Sequence, residues 1–440
     1  SELSGWGCVV PSAACSVVIT GVSSDTRTLK RGELFVALSG SQVDGRTFIL
    51  EAQRKGAPAI LASPDAVIPE NFHSPVLRTP DPRKILALLS GHFYPGQPAT
   101  IVAVTGTSGK SSVADFTRQL FEACGHASAS LGTLGVVSSQ HTAYGSMTTP
   151  DPISLHKTLS HLAHIGITHL ALEASSHGLE QRRLEAVKLK AAAFTNLGRD
   201  HLDYHPTIEQ YFAAKMRLFR ELLPQEAPVI LNINGARSED VRKEALKRGH
   251  PIFEVGRGGV DLNLSALEKV GFTQQLKIKY KDRTYSVPLP LIGYYQVENA
   301  LVAAGLVLAL GESPEIVLPG LSKLRGVKGR LEVVGEHNGA LAIVDYAHKP
   351  EALAAALDAC MSFVSGKLIC VFGCGGDRDK GKRPLMGEIA ASKAQCVIVT
   401  DDNPRSENPA SIRAEILSKA PHATRPFSDH EVIKEALLLI

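Results

Sequence analysis

The sequence predicts an α/β protein of three domains: a central parallel sheet that carries a phosphate loop, a C-terminal Rossmann-like doubly wound sheet, and a smaller N-terminal unit before them. Three observations lead there. Residues 101–112 are a β-branched run that breaks into Gly-Thr-Ser-Gly-Lys-Ser-Ser and then takes up helical spacing over 113–123, the order of strand, phosphate loop and helix. Clusters of polar and ionisable residues recur where apolar runs end, and in an open α/β sheet the ligand crevice lies at strand C-termini. The chain has 440 residues, enough for two or three domains with separate cores.

Composition narrows the function classes. Hydrophobic residues make up 44% and charged residues 21%, ordinary values for a soluble globular protein. No apolar run is long enough to span a bilayer, and residues 1–20 lack a basic region followed by an apolar core and cleavage site, so a cytoplasmic protein is expected. A net charge of +3, evenly spread, argues against a nucleic-acid partner. Cys8, Cys15, Cys124, Cys360, Cys370, Cys374 and Cys396 are scattered without metal-ligand spacing; they read as reduced thiols, and no structural zinc is implied.

The N-terminal unit, residues 1–97, has short β-like runs at 34–38 and 59–62 among turns. Its loops at 23–27 and 40–45 are rich in donors that suit a ribose or diphosphate, although the residues alone favour plain solvated turns. Pro95-Gly-Gln-Pro98 closes the unit.

The central unit, 98–330, begins with the phosphate loop. Small residues let backbone N–H groups curl around an anionic phosphate, the helix N-terminus adds partial positive charge, Lys110 reaches the terminal phosphates, and a serine hydroxyl can ligate Mg²⁺. Val104 stands where the usual loop has a glycine, so a helix-start loop with a coincidental lysine stays open. Thr148-Thr-Pro-Asp-Pro152 is a turn that starts a helix over 153–165, and 168–173 reads as a buried strand ending at Glu173, a candidate Mg²⁺ ligand or a cap for the next helix. A strand at 191–195 leads into Asp200, His201, Asp203 and His205, which read as metal or phosphate ligands or as ordinary capping groups. Lys215 lies on a helical stretch over 211–219. The residues alone favour a solvated lysine; a partly buried one can lose its proton and become a nucleophile. Residues 262–290 alternate as a β-hairpin or meander, and Gly293-Tyr-Tyr-Gln-Val-Glu-Asn-Ala300 enters a buried helix reaching Leu310.

In the last unit, 331–440, β runs at 341–345, 367–372 and 395–400 alternate with helical stretches at 350–362 and 384–393, the alternation of a parallel doubly wound sheet. Each run ends in chemistry. Arg378, Lys380, Lys382, Arg383 and Arg405 gather there beside several carboxylates, which suits a zwitterionic or anionic substrate held by bidentate arginines more than a solvated charge run.

The motifs Thr105-Gly-Thr-Ser-Gly-Lys-Ser-Ser112, Glu173-Ala-Ser-Ser-His-Gly178, Thr195-Asn-Leu-Gly-Arg-Asp-His-Leu-Asp203, Asp345-Tyr-Ala-His348, the 373–383 loop and Asp402-Asn-Pro-Arg405 together resemble the Mur ligase family over nearly the whole chain. The resemblance implies an enzyme of cytoplasmic peptidoglycan precursor synthesis, a monomer with small-molecule partners. It would use ATP and Mg²⁺ to join meso-diaminopimelate to UDP-MurNAc-L-Ala-D-Glu through an acyl phosphate, with domain closure bringing the amino-acid site to the ATPase. It places ATP on Gly106, Thr107, Ser108, Gly109, Lys110, Ser111 and Ser112, with Asn299, Arg330, Asp345 and His348. Lys110, Glu173, His201 and Lys215 are implied as catalytic, and Ser111, Glu173, His201 and Lys215, the last as a carbamate (N6-carboxylysine), as metal ligands. Ser24, Thr26, Ser41, Gln42, Val43, Thr148, Thr149, Ser175, Gln181 and Arg183 fall to the UDP-MurNAc dipeptide, and Arg383, Asp402, Asn403, Pro404 and Arg405 to diaminopimelate. L-lysine as the amino acid, a folylpolyglutamate synthetase-like ligase and a non-catalytic ATP-binding relative are the alternatives. Three departures stand out: Tyr295 and Gln296 replace Phe and Asn, Asn232-Ile-Asn-Gly235 replaces an acidic segment, and the Gly-Lys-Gly-His-Glu segment does not occur before Ile440, so the last domain is expected to lack its usual terminal segment.

Overall fold

The structure, a computed structural model, describes residues 2–40, 43–139, 142–143, 147–201, 204–270, 273–364 and 366–423. Two compact units emerge: Ser1–Asn263 with Leu301–Leu318, and Leu264–Ala300 with Pro319–Ile440.

The first unit holds two sheets. After α1 (Glu2–Gly5), strands β1 (Gly21–Ser23) and β2 (Glu33–Val36), helix α2 (Ile49–Arg54), strands β3 (Ile60–Ala62) and β4 (Val76–Arg78) and helix α3 (Pro82–Phe93) follow in turn. The four strands form a parallel sheet in the order β1-β2-β3-β4. Alternate residues of each strand serve opposite faces: Leu34, Val36, Ala59 and Leu61 pack with Ile85, Leu86 and Leu89 of α3, whereas Phe35, Ile60 and Ala62 pack with Ile49 and Ala52 of α2. Asp81 caps α3 by accepting from the Lys84 N–H, with Pro82 at the first helical position. The runs at 34–38 and 59–62 are strands as expected; β1 and β4, three residues each, gave no comparable signal.

The second sheet of this unit is built from β5 (Thr100–Thr105), α4 (Lys110–Ala123), β6 (Ser128–Gly132), β7 (Gly135–Ser138), β8 (Thr142–Ala143), α5 (Pro152–His164), β9 (His169–Glu173), α6 (Ser176–Glu180), β10 (Leu189–Phe194), α7 (Ile208–Arg217), β11 (Val229–Asn232), α8 (Ser238–Lys247) and β12 (Ile252–Gly256). Its order is β12-β11-β10-β5-β9-β6-β7-β8, parallel from β12 to β6 and antiparallel at β6-β7-β8. Helices cover both faces, so residues 101–104 and 191–194 are entirely buried. The chain leaves β5 first toward β6 and β9 and later places β10 on the other side. The switch point, where α/β sheets bind ligands, therefore lies at the C-terminal end of β5.

The second unit takes in most of β13 (Leu262–Val270), then β14 (Thr273–Tyr280), β15 (Arg283–Leu289), the first part of α9 (Tyr294–Ala309) and the end of α10 (Pro314–Gly320). It continues with β16 (Glu332–His337), β17 (Ala340–Val344), α11 (Pro350–Met361), β18 (Ile369–Phe372), α12 (Lys382–Lys393), β19 (Cys396–Val399) and α13 (Pro409–Leu417). β14 and β15 pair antiparallel, as the alternation at 262–290 predicts. β18 and β19 pair in parallel, over a core that includes Leu353, Leu357, Met386, Ala390, Val399 and Ile412. The run at 341–345 departs from the expected parallel order: β17 pairs antiparallel with β16, across a turn in which Asn338 (φ 49°) and Gly339 (φ 80°) are both left-handed. Two positive φ values at the centre of a two-residue loop make the turn that suits the twist of a hairpin, and Asn-Gly is its favoured sequence. No helix among the described residues is long and apolar enough to cross a membrane.

Candidate active site

The phosphate loop is held open from below. Gly106 has φ 147°, and a Cβ there would lie 1.9 Å from Thr195 Oγ1, so only glycine lets the chain turn away from β5 at this point. Thr107 N–H donates to Asn196 O (2.9 Å), Ser108 N–H to Asn196 Oδ1 (3.0 Å) and Thr195 Oγ1 to Ser108 O (2.6 Å). Thr107 Oγ1 accepts from Gly198 N–H (2.8 Å) and lies 3.2 Å from the Tyr211 hydroxyl. The segment after β10 thus acts as a mould for the loop. Gly109 is left-handed at the N-cap of α4, which puts Lys110, Ser111 and Ser112 in the first helical turn.

Two lysines converge on one carbonyl. Lys110 Nζ donates to Gly106 O (3.0 Å) and Thr107 O (2.9 Å), and Lys215 Nζ donates to the same Gly106 O (2.7 Å). Lys215 is 1% exposed and lies over the Tyr211 ring, 4.3 Å from its centroid. Burial, and then the Lys110 charge, push its pKa well below the usual lysine value, while Asp200 partly offsets this. The solvated reading favoured by the residues alone is corrected, because α7 turns this position inward between Tyr211 and the loop. His201, itself left-handed (φ 53°), donates its backbone N–H to Asp200 Oδ1 (2.7 Å), and its ring stands 6.0 Å from that of Tyr211. His205 is buried with Nδ1 3.3 Å from Glu180. Asp203 lies outside the described residues.

Glu173 ends β9 opposite Val104 of β5 and is 2% exposed. Its carboxylate accepts from Thr133 N–H (2.8 Å) and Thr133 Oγ1 (3.4 Å). It does not cap the following helix: Ser175 does, accepting from Gly178 N–H (3.0 Å). Around it the expected substrate residues join in one network. Thr149 Oγ1 donates to Glu173 O (2.8 Å) and accepts from Ser175 N–H (3.0 Å), and the Thr148 hydroxyl lies 3.0 Å from that of Thr133. Arg183 donates to Thr149 O (2.6 Å) and Gln181 Oε1 (2.7 Å), and Gln181 donates to the Tyr204 hydroxyl (3.1 Å). Thr105 Oγ1 and Ser176 Oγ at this edge are buried without a hydrogen-bond partner among the described residues. A tight glycine cradle, orphaned hydroxyls, a buried carboxylate and a buried amine whose pKa is pushed down form a donor set that fits a nucleotide phosphate with a divalent cation.

In the smaller sheet of the first unit, Ser24 and Thr26 follow β1, and Val43 follows β2, so both loops leave the C-terminal edge of neighbouring strands. Thr26 is buried and its carbonyl accepts from Lys55 Nζ (2.7 Å), whereas Val43 is exposed. Ser41 and Gln42 lie outside the described residues.

The second unit carries the remaining residues. Asp345 is half-buried and accepts from Leu331 N–H (2.9 Å) and Ala347 N–H (2.8 Å); burial raises its pKa, against those two bonds and Arg330. Arg330 lies over the Tyr346 ring, 5.3 Å from its centroid, His348 Nδ1 is 3.0 Å from Tyr346 O, and Asn299 donates to Gln296 (3.0 Å). Among the amino-acid residues, Asp402, Asn403 and Arg405 are exposed beside Pro404, and Asn403 (φ 42°) and Arg405 (φ 51°) are left-handed. Arg405 Nη1 donates to Gly376 O (2.7 Å). Arg383 departs from its expected ligand-facing position. It is 0% exposed, forked onto Glu407 (3.0 and 2.9 Å) with Glu415 (2.9 Å) and Gly375 O (3.3 Å), because α12 buries its first turn against the Glu407 loop and α13. Thr133, Asn196, Tyr204 and Tyr211 are site residues that the sequence reading did not single out. Thr133 follows the glycine that ends a strand, which is the signal that could have found it.

A phosphate loop at the switch point of a parallel sheet, with an acidic strand end beside it, defines a nucleotide-binding α/β protein of the phosphate-loop class. Family models match three stretches: the Mur ligase family catalytic domain over 18–94, the Mur ligase middle domain over 104–307 and the Mur ligase glutamate ligase domain over 329–440. The chain belongs to the Mur ligase family. It is 50% identical over 425 residues to the UDP-N-acetylmuramoyl-L-alanyl-D-glutamate–2,6-diaminopimelate ligase of Rhizobium meliloti, covering 96% of this chain and 87% of that one. It is 49% identical to the ligase of the same name from Brucella melitensis over 440 residues, 100% of this chain and 90% of that one. A solved ligase of that name superposes with a TM-score of 0.73 at 32% identity, covering 95% and 86% of the two chains. MurF from Thermotoga maritima in complex with ADP shares the fold at 21% identity (TM-score 0.63, covering 97% and 92%).

Proposed function

We propose that this chain forms an amide bond between meso-diaminopimelate and UDP-MurNAc-L-Ala-D-Glu at the expense of ATP, in the cytoplasm and as a monomer. The observation that carries the reading is the pairing of Lys110 and Lys215 on the Gly106 carbonyl, one a phosphate-reaching lysine and the other a buried amine held well below the usual lysine pKa. The diaminopimelate ligases at about half identity over nearly the full length supply the substrates.

The backbone N–H groups of 106–112 and Lys110 hold the phosphates of ATP. The γ-phosphoryl passes to the D-glutamyl side-chain carboxylate, giving an acyl phosphate and ADP, while Lys110 offsets the negative charge that develops. The free amine of diaminopimelate attacks the acyl carbon, phosphate leaves with the C–O bonding pair, and the amine loses a proton as the amide forms. Mg²⁺, held by Ser111, Glu173, His201 and Lys215 as a carbamate, would neutralise phosphate charge. Lys215 in its unprotonated form takes up CO₂, forming an N–C bond and releasing one proton, a form that its lowered pKa favours. Thr133 fixes the Glu173 carboxylate, and the network through Thr148, Thr149, Ser175, Gln181 and Arg183 receives the dipeptide end of the nucleotide substrate, with Ser24, Thr26 and the loop at 41–43 at its UDP end. Arg405 offers its guanidinium to the distal carboxylate of diaminopimelate, a group L-lysine lacks. Asp402, Asn403 and Pro404 shape that loop, and Arg383 holds it from behind through Glu407.

The test follows oxygen. With ¹⁸O in the D-glutamyl side-chain carboxylate, one labelled oxygen should appear in the released phosphate for each amide formed; unlabelled phosphate alongside labelled amide overturns the acyl phosphate route.

A further inference from the structure

Far from the phosphate loop, three side chains that the reaction does not use come together. His126, His169 and Glu312 each offer a ligand atom, and these atoms all lie within 4.8 Å of one another. His126 Nε2 is 2.7 Å from Glu312 Oε1, and the two imidazoles stack with centroids 3.9 Å apart. The Cys124 thiol hydrogen-bonds the same Glu312 carboxylate. The set holds no cysteine, so cysteine spacing could not reveal it, and its members lie on three separate segments.

We infer that His126, His169 and Glu312 form a binding site for a divalent transition-metal ion of the zinc class, which clamps the far end of the phosphate-loop helix to the sheet. Two imidazoles and a carboxylate are a zinc-type donor set. At bond lengths of about 2.0–2.1 Å, tetrahedral ligand atoms stand roughly 3.3 Å apart, so these atoms, within 4.8 Å of one another, must draw together and the stacked rings must turn to aim both lone pairs at the ion. Each donor also sits on a fixed backbone. His126 follows the left-handed Gly125 (φ 90°) that ends α4, and its N–H bonds Phe121 O (3.0 Å). His169 is the first residue of β9, its N–H bonded to Ala127 O (3.1 Å), and its Nδ1 lies 2.9 Å from Thr168 Oγ1. That bond fixes the ring and leaves Nε2 as the nitrogen open to an ion. Glu312 follows Gly311 (φ 97°) in the turn after α9.

The ion would tie together the C-terminal end of α4, whose first turn carries Lys110, and the start of β9, whose last residue is Glu173. Along β9 that is a distance of roughly 13 Å from Glu173, too far to touch the reacting groups. The role is therefore structural. Binding replaces the His126–Glu312 hydrogen bond and splays the stacked rings.

The experiment uses the full chain, stripped of metal by chelator, in a large excess of Mg²⁺ so that oxygen-rich sites are filled. ZnCl₂ titrated by calorimetry should bind one equivalent per chain and raise the melting temperature, and Co²⁺ should give the intense visible bands of a four-coordinate site. Glu312→Gln, half-buried and isosteric, should melt as the metal-free wild type does, keep its ligase activity, and bind zinc at least about 10-fold more weakly; His126→Gln serves as the second variant. Zinc uptake by Glu312→Gln and His126→Gln equal to that of the wild type, or no uptake by the wild type, overturns the inference.

Discussion

Replacing Lys215 by methionine tests the buried amine, and the effect can be worked from its surroundings. The lysine is ordinarily protonated below its usual value of 10.5, whereas in the folded chain burial and the Lys110 charge hold it well below that. Between the folded and unfolded pKa values the unfolded state binds a proton that the folded state does not, so stability rises with pH across that window and levels off above 10.5. The slope approaches about 1.4 kcal/mol per pH unit. Methionine fills a similar volume, cannot titrate and gives up one hydrogen bond, to Gly106 O, worth about 0.5–1.5 kcal/mol net. The stability difference between Lys215→Met and wild type should therefore shift in favour of the wild type by up to about 2 kcal/mol on going from about pH 7.5 to about pH 9. Urea denaturation of both proteins in CO₂-depleted buffer, following a probe of the first unit, reads this directly, and titrating groups that do not interact with Lys215 cancel in the difference. The same variant should lose about 10²–10³-fold in ligation rate. A stability difference that does not change with pH would refute a neutral buried Lys215.

Three further substitutions probe other parts of the site. Gly106→Ala drives a Cβ into Thr195 Oγ1 at 1.9 Å and should abolish nucleotide binding by calorimetry while circular dichroism stays near native; tight binding would mean the loop turns elsewhere. Arg405→Ala should raise the diaminopimelate KM at least about 10-fold and leave the ATP KM within about twofold, whereas equal effects on both would contradict its role. Glu407, held down to about 2 by the buried Arg383 fork, contributes stability above the ordinary carboxylate range that is lost as pH falls through about 2. Glu407→Gln should accordingly lower the melting temperature at neutral pH and flatten the acid limb of the second unit's stability profile; an unchanged limb would show that the fork is not formed.

Much of this architecture could be read in the chain because its signals are local. The strand before Gly106, the helix after Gly109 and the strand ending at Glu173 follow from side-chain period and glycine placement. Alternation gave the hairpin of β14 and β15 in the same way. What escaped depends on tertiary context or on a signal passed over. The Asn338-Gly339 pair marks a hairpin, yet the run after it reads as one more strand of a parallel alternation. β1 and β4 break their three residues with Gly21, Ser23 and Arg78, so no apolar run marks them as Ile60-Leu-Ala62 marks β3. At the site, Lys215 has the sequence surroundings of a solvated lysine, and only the packing of α7 against the phosphate loop shows it buried. Arg383 errs the other way: its run of charges reads as an open binding edge, while its ion pairs come from Glu407 and Glu415, 24 and 32 residues away. His126, His169 and Glu312 are likewise brought together only by the sheet and the ends of two helices.

The central claim is tested most directly by ADP and phosphate release in the presence of UDP-MurNAc-L-Ala-D-Glu and ATP, comparing meso-diaminopimelate, L-lysine and no amino acid. Release that depends on diaminopimelate, and that L-lysine supports at least about 10-fold less well, is the expected result. Equal release with L-lysine would contradict the role given to Arg405, and no release with any of the three would contradict the assignment of the chain as a diaminopimelate ligase.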